Sequence, residues 1–158
     1  MGASLLMNQE DKYIYNNEAI ATYSILCILE KSESISVAKL SLVLPFLLNN
    51  RILQLLTSRK KIRSIEELVL KSNGELSSYS DSYEEYLPLC INALTVLQSA
   101  QQAMLNDGIV TLIQENYVPF HDEKIGTRAL RISKATKKLI LLLNDKEENL
   151  FLQLRVKI

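Results

Sequence analysis

The densest run of apolar side chains in the chain extends from Leu40 to Leu48, with no charged residue between Lys39 and Arg51. Five of its residues follow the i, i+3, i+4, i+7, i+8 spacing of one helical face, namely Leu40, Val43, Leu44, Leu47 and Leu48. The other side of the run is also apolar, which predicts a helix buried all round and kinked where Pro45 removes a backbone donor. A helix of this length spans about 14 Å, too short to cross a bilayer. We therefore expect the segment at the centre of a core or in the seam of a complex.

Apolar periodicity predicts a further helix on the N-terminal side of this run. Residues 1–15 are predicted to be a polar arm, and a helix of ~13 residues follows from an N-cap at Asn16 and Asn17. Ser36 is the expected cap of the apolar helix itself. Asn49 marks its end and the start of another short helical piece.

Two capping boxes, each a Ser followed three residues later by a Glu, predict the next two helix starts. The first, at Ser64, opens a short helix, and the second, at Ser82, opens a long helix that ends at Asn106-Asp107-Gly108. The predicted buried face of the long helix consists of Leu87, Ile91, Leu94, Leu97, Ala100 and Met104.

The apolar period changes after Gly108. The β-branched segment 109–113 predicts a strand, residues 114–123 a polar loop, and residues 124–132 a returning strand. Helix, strand, loop and strand follow one another in the order expected of a winged helix, in which the hairpin is the wing. A last substantial helix capped by Ser133 is predicted next, and then a short apolar tail that forms a helix or a strand.

These elements predict a mainly α protein with a small β-hairpin and winged-helix character. Only 4 Gly and 3 Pro in 158 residues leave little material for turns, which favours helices, and the length is typical of a single domain. The predicted organisation is an arm (1–15), a helical core (16–107), a wing (108–132) and C-terminal helices (133–158).

No arrangement of residues typical of an enzyme accompanies these elements. The one histidine, His121, has no Ser or Cys nucleophile in a recognisable signature, and no glycine-rich phosphate loop occurs. Cys27 and Cys90 lie inside apolar helical patterns and are expected to be buried, reduced thiols. We expect a cytoplasmic protein with no signal peptide, no membrane contact, no catalytic activity, no cofactor or metal, and no small-molecule substrate.

Charge is distributed unevenly, although the net charge is zero. Residues 1–71 carry +2, residues 72–123 carry −8 with no Lys or Arg, and residues 124–158 carry +6. Such opposed blocks either pair with each other inside the protein or present two faces to two partners.

Two basic groups are the candidate contact residues. One extends across the predicted helix start at Ser133, after which i, i+3 and i+4 spacing puts three lysines on one side. Its members are Arg128, Arg131, Lys134, Lys137 and Lys138. The other lies in the polar connector after the apolar helices and consists of Arg59, Lys60 and Lys61. Each group is interpreted either as a solvated face or as a contact with phosphate or with an acidic protein surface.

Four segments resemble the middle components of three-component ABC systems, and the resemblance extends over about residues 13–143. They are Tyr15–Ile20, the run Leu42–Leu48, the basic-to-apolar segment Thr57–Leu70, and the helix Tyr86–Leu105 with the Asp107–Val110 segment that follows it. The C-terminal tail departs from the family pattern, because it lacks the usual aromatic pair and the closing glycine.

This resemblance implies a non-catalytic adaptor subunit that bridges an SMC-like ABC ATPase and an effector protein, as in Lamassu-type antiphage defence. The basic groups make DNA, reached through the complex, a further candidate partner. The alternative is a free-standing winged-helix DNA-binding transcriptional regulator. The zero net charge counts against this alternative, because autonomous DNA binders are usually basic.

Overall fold

Helices make up most of this protein, and a small antiparallel sheet completes it. The computed structural model describes residues 9–72, 74–117 and 126–157. The helices are α1 (Gln9–Ser32), α2 (Val37–Ser41), α3 (Val43–Leu47), α4 (Asn50–Thr57), α5 (Ile65–Lys71), α6 (Tyr79–Ser99), α7 (Thr127–Leu142) and α8 (Glu147–Gln153). The strands are β1 (Ser34–Ser36), β2 (Ala103–Asn106) and β3 (Ile109–Leu112), and a 3-10 turn covers Gln114–Asn116. The predicted fold class, mainly α with a small β-hairpin, is confirmed.

The apolar run is entirely buried, and it forms two short helices rather than one kinked helix. Ser36 caps α2, as predicted, with its Oγ accepting from the backbone N–H of Lys39 at 3.2 Å. The chain breaks at Leu42, and Pro45 becomes the third residue of α3. The N–H groups in the first turn of a helix have no partner within the helix. Because the chain breaks just before α3, Pro45 lies in such a first turn, where its missing N–H costs no helical hydrogen bond.

Asn49 ends this pair of helices and turns the chain, as predicted. Its Oδ1 accepts from the backbone N–H of Arg51 at 3.0 Å and of Ile52 at 3.2 Å, which starts α4. The segment 37–47 and α4 are bent by 98° relative to each other. Within the residues that the structure describes, no single helix has both the length and the apolar character to cross a membrane, and only this bent pair meets both measures together.

Helix α1 is longer than the sequence predicted. It begins at Gln9, so residues 9–15 are helical rather than part of an arm, and Asn16 and Asn17 lie inside the helix instead of capping it. Residues 1–8 of the predicted arm lie outside the described part of the chain. Among residues 17–32, whose burial the structure describes, fully buried positions begin at Ala21, so the apolar pattern marked the packed part of this stretch.

The predicted start of α6 at Ser82 is wrong, whereas the capping box at Ser64 is confirmed. Ser64 Oγ accepts from the N–H of Glu67 at 3.1 Å. In contrast, the N–H of Ser82 donates to the carbonyl of Ser78 at 3.0 Å inside a helix that already began at Tyr79. Tyr79 is 1% exposed, and burying its ring draws one more turn into the helix.

The buried face of α6 also differs from the predicted one. Ile91 is 58% exposed, Ala100 lies just beyond the helix, and Met104 belongs to strand β2. Only Leu94 and Leu97 of the predicted face are among the buried residues of α6, which are Tyr79, Cys90, Ala93, Leu94 and Leu97.

The hairpin that forms the wing lies earlier in the chain than predicted. Strands β2 and β3 are joined by Asp107 and Gly108, whose φ angles of 49° and 72° are those of a tight two-residue turn. The predicted strand 124–132 is wrong where it is described, because residues 127–132 are helical. Residues 118–125, with His121 and the start of that strand, lie outside the described residues.

The short strand β1, which the sequence analysis missed, completes the sheet in the order β1-β3-β2. Ile35 lies opposite Val110, and the N–H of Val37 donates to the carbonyl of Gly108 at 2.8 Å. A strand between the first helices therefore pairs with the hairpin that follows the long helix. This is the winged-helix character expected from the sequence.

Helix α7 begins at Thr127, so Ser133 lies inside it and the predicted cap is wrong. Arg128 and Arg131, assigned to a strand by the sequence analysis, are therefore helical. Helix α7 packs against both α1 and α4, and the predicted tail segment forms α8, which packs on α5. The buried apolar side chains of these helices and of the sheet form one continuous core.

Candidate functional site

Two cationic side chains fix α7 beside α4. Near the start of α7, Nη2 of Arg128 reaches the carbonyl oxygen of Leu48 at 3.5 Å, just before α4 begins. Ten residues later, Nζ of Lys138 donates to the carbonyls of Ser58 and Lys60, both at 2.9 Å, just after α4 ends. The two helices therefore run side by side in the same direction, and the second half of α7 lies against the loop that follows α4.

This contact brings the two predicted basic groups together. We define the basic surface as Arg131, Lys134 and Lys137 of α7 with Arg59, Lys60 and Lys61 of the loop. All six are exposed except Arg131, which is half-buried. Within the described chain, none of these six side chains forms an ion pair or a hydrogen bond. The cations are therefore available to an external anion.

Arg128 and Lys138 contact the protein's own backbone, unlike the six cations of the basic surface. Each binds the carbonyl of a residue that caps the C-terminal end of a helix, Leu48 for α3 and Ser58 for α4. A cation at this end is favourable because the last carbonyls of a helix are unpaired and carry the negative end of its dipole. Lys138 is half-buried, so it contributes to packing more than to an exposed contact.

A third lysine holds α7 from the other side. Lys31, in the last turn of α1, donates to the carbonyl of Ser133 and to Oγ1 of Thr136. Thr136 is fully buried and in turn donates to the Ser133 carbonyl at 2.6 Å. Helix α7 is thus fixed between α1 and α4, which determines the direction in which its exposed lysines project.

The two segments that meet at the basic surface contain no carboxylates at all. Residues 34–65 and 126–144 together carry eleven Lys and Arg residues and no Asp or Glu. Because neither segment carries an acid, these cations produce a positive potential over the surface, and the adjoining negative charge is the Glu67 carboxylate beside Arg63. The sequence analysis missed two members of the first segment, the exposed Arg51 and Arg63. The absence of any acid between Glu33 and Glu66 is the signal that could have identified them.

The long helix and the wing have the opposite character. No Lys or Arg occurs between residues 72 and 123, and the exposed side chains of α6 and of the hairpin turn include Asp81, Glu84, Glu85 and Asp107. Exposed apolar side chains cluster at the hairpin, where Met104, Leu105 and Ile109 are 53%, 40% and 41% accessible. This face would repel the phosphate backbone of a nucleic acid.

The groups with shifted pKa values lie away from the basic surface or support its scaffold. Burial raises the pKa of the Cys90 thiol to about 11. Burial, with a smaller effect from Tyr83, also raises the pKa of Tyr79 well above its usual range. The pKa of Glu67 is lowered by its hydrogen bond from Lys71, at 2.6 Å, and by the N–H of Arg63. Each shift is explained by a structural contact.

A groove of about 450 Å³ lies between β1 and the C-terminal end of α7. Its lining combines serines and apolar side chains with Lys39 and Glu147, and it contains neither histidine nor thiol. Among the residues described, no three His, Cys, Asp or Glu side chains are grouped so that they could hold a metal ion. The basic surface is therefore the feature with the most definite chemistry.

The fold and this surface define a mainly α protein of winged-helix character whose cations lie on α7 and the adjacent loop instead of on the wing. No protein-family model, curated protein or solved structure matches the chain.

Proposed function

We propose that this protein is a non-catalytic, cytoplasmic adaptor subunit that joins an SMC-like ABC ATPase to an effector in an antiphage defence complex. We further propose that its basic surface contacts DNA held by that ATPase. The observation that carries the DNA contact is the packing of two acid-free, cationic segments through Lys138. The resemblance of the sequence to middle components of ABC systems supports the choice of partners.

The geometry of α7 suits a phosphate backbone. Arg131 and Lys137 are six residues apart, so their Cα atoms are separated by about 9 Å along the helix axis. That length corresponds to two or three phosphates of one DNA strand at about 3.4 Å of rise each. The loop cations widen the surface beyond this row. Contacts of this kind give affinity without reading sequence, which is what an adaptor on a DNA-bound ATPase requires.

The second candidate is a winged-helix regulator that reads DNA through the helix before the wing. The β1-β3-β2 strand order favours it. The charges of α6 and the hairpin oppose it, because the exposed Asp81, Glu84, Glu85 and Asp107 would face the phosphates with no cation between them. We therefore expect DNA to approach α7 and not α6.

The test compares two double charge reversals in the complex assembled with its ATPase. Lys134→Glu with Lys137→Glu changes the basic surface, and Lys146→Glu with Lys157→Glu is the control, since both lysines are exposed and the charge change is equal. DNA affinity is measured by fluorescence anisotropy at a series of salt concentrations. The first variant should weaken DNA binding and reduce the slope of log affinity against log salt concentration by about 2 in magnitude. Assembly of the protein with its ATPase should be unchanged.

Equal weakening by both variants would mean that net charge alone matters and would contradict a local contact. Loss of assembly with the first variant would assign this surface to a protein partner. The regulator hypothesis predicts instead that the free protein binds duplex DNA. It also predicts an effect of the double variant Glu84→Gln, Glu85→Gln. This variant should strengthen DNA binding by more than the control variant, Lys146→Glu, Lys157→Glu, weakens it.

The adaptor role has its own test. The purified protein alone should show no ATP hydrolysis, nuclease or other hydrolase activity, and it should copurify with the ATPase when both are expressed together. Robust turnover by the isolated chain would contradict the proposal.

A further inference from the structure

We propose that Lys138 is a positioning residue that holds the cationic loop against α7, so that the two halves of the basic surface act as one phosphate-binding site. The inference rests on the proposed function of the basic surface. In this inference Lys138 has a role different from that of its neighbours. Lys138 binds the protein's own backbone, whereas Lys134 and Lys137 bind the external anion.

The contacts of Lys138 support this division. Its Nζ donates to two carbonyls, of Ser58 and Lys60, each at 2.9 Å, which uses two of the three N–H groups of the ammonium. Hydrogen bonds from a charged donor are roughly twice as strong as neutral ones, and one of these acceptors caps the C-terminal end of α4. The neighbouring Lys134 and Lys137 are exposed and form no such bonds.

The loop needs such a tether. Arg59, Lys60 and Lys61 are adjacent cations with no carboxylate partner, so they repel one another and also the lysines of α7. Buried side chains anchor the chain only at Leu56 and Ile62, on either side of these residues. Without a bond from α7, this repulsion would favour conformations in which the loop cations move away from the helix.

The opposite end of the loop is held to α5, where the N–H of Arg63 donates to Oε2 of Glu67 at 2.7 Å. Nζ of Lys71 reaches the carbonyl of Lys61 at 3.4 Å, and the same ammonium is shared with the carboxylate of Glu67. Lys138 therefore supplies the two shorter of the three lysine–carbonyl bonds that hold the loop.

The experiment compares Lys138→Met with Lys137→Met, which removes the same charge from the adjacent, exposed position. Hydrogen exchange of the peptide covering residues 57–63 measures loop order in the free protein, and anisotropy of duplex DNA measures the salt dependence in the assembled complex. Lys137→Met should leave the exchange unchanged and lower the steepness of the salt dependence by about 1. Lys138→Met should speed the exchange of the Ser58 amide, which donates to the Leu55 carbonyl, at least tenfold and lower the steepness by more than 1. Lys138→Arg, which keeps the donors, should restore both.

Unchanged loop exchange in a folded Lys138→Met protein would overturn the positioning role, whatever happens to DNA binding. Faster exchange with a DNA effect equal to that of Lys137→Met would overturn it too, because Lys138 would then be only another contact. If the loop loosens but neither variant alters DNA binding, the proposed function of the basic surface fails and the joint site fails with it. If Lys138→Met does not fold, Lys138→Gln, which keeps a neutral donor, replaces it under the same criteria.

Discussion

Replacing Tyr79 with Phe tests how the long helix is joined to the apolar run. The hydroxyl of Tyr79 donates to the carbonyl of Leu42 at 2.5 Å, at the break between α2 and α3, and the Tyr79 ring lies 4.8 Å from that of Phe46. The substitution removes the hydrogen bond and keeps the ring. The lost bond contributes about 1 kcal/mol, and a buried carbonyl deprived of a donor adds to the loss, so we expect destabilisation of about 1–2 kcal/mol. For a chain of this size that lowers the Tm by roughly 3–6 °C.

Tyr83→Phe is the matched control, since its hydroxyl also reaches this region but with a weaker bond. It lies 3.2 Å from Oγ of Ser41, whose own proton goes to the Ala38 carbonyl at 2.7 Å. The control should lose about 0.5 kcal/mol or less. Both variants are measured by urea unfolding monitored by far-UV circular dichroism, with the expectation of unchanged m values.

The pH dependence gives an independent readout of the burial of the same hydroxyl. The pKa of Tyr79 is higher in the folded state than the ordinary value of 10.0, so its contribution is complete below pH 10 and is lost as the pH rises further. Tyr79→Phe should remove that part of the alkaline loss. If Tyr79→Phe is as stable as the wild type, or is destabilised no more than the control, the hydroxyl does not hold the two elements together.

Three further predictions concern the core and its caps. Leu44→Asp places an unpaired charge at a fully buried position, costs several kcal/mol of a total of about 5–15, and should abolish the cooperative unfolding transition; a wild-type melting curve would contradict the burial. Asn49→Ala should lower the free energy of unfolding in urea by about 1 kcal/mol, because it removes the cap of α4. Asn50→Ala, at an exposed position beyond the cap, should be nearly neutral. Equal effects of the two substitutions would exclude capping as the cause. The pKa of Cys90 rises from 9.0 to about 11 on folding, so the free energy of unfolding should fall by about 3 kcal/mol between these pH values. Cys90→Ala should remove this loss. If the free energy of unfolding of the variant still falls over this pH range, another group is responsible.

Local signals in the sequence predicted helix starts only where no tertiary contact competed with them. Ser64 and Asn49 cap the helices expected of them. Ser82 has the same capping pattern, but the buried Tyr79 extends the helix past it. In the wing, Asp107-Gly108 was interpreted as a helix stop, although the same dipeptide is also a strong hairpin signal. Strand β1 has only 3 residues and exists through its pairing with β3, so no local pattern marks it.

The sequence grouped the basic residues, but it did not show which of them contact the protein's own backbone. Spacing placed Lys134, Lys137 and Lys138 on one side of a helix, which they share. Only the packing of α7 against α4 shows that Lys138 is used internally and that the loop cations lie beside the others. Contacts between residues about eighty positions apart leave no periodic trace in a single sequence.

The pairing pattern of the sheet also has a consequence for the order of folding. Strands β2 and β3 are joined by a two-residue turn, so this hairpin can close on the microsecond scale. Strand β1 pairs with β3 only when Ile35 lies opposite Val110, which is 75 positions further along the chain. The entropy lost in closing this long loop is offset only once α1 has packed on α6. Pulse-labelled hydrogen exchange should therefore show the amide of Leu112, which donates to the Glu33 carbonyl, becoming protected later than the amides shared by β2 and β3.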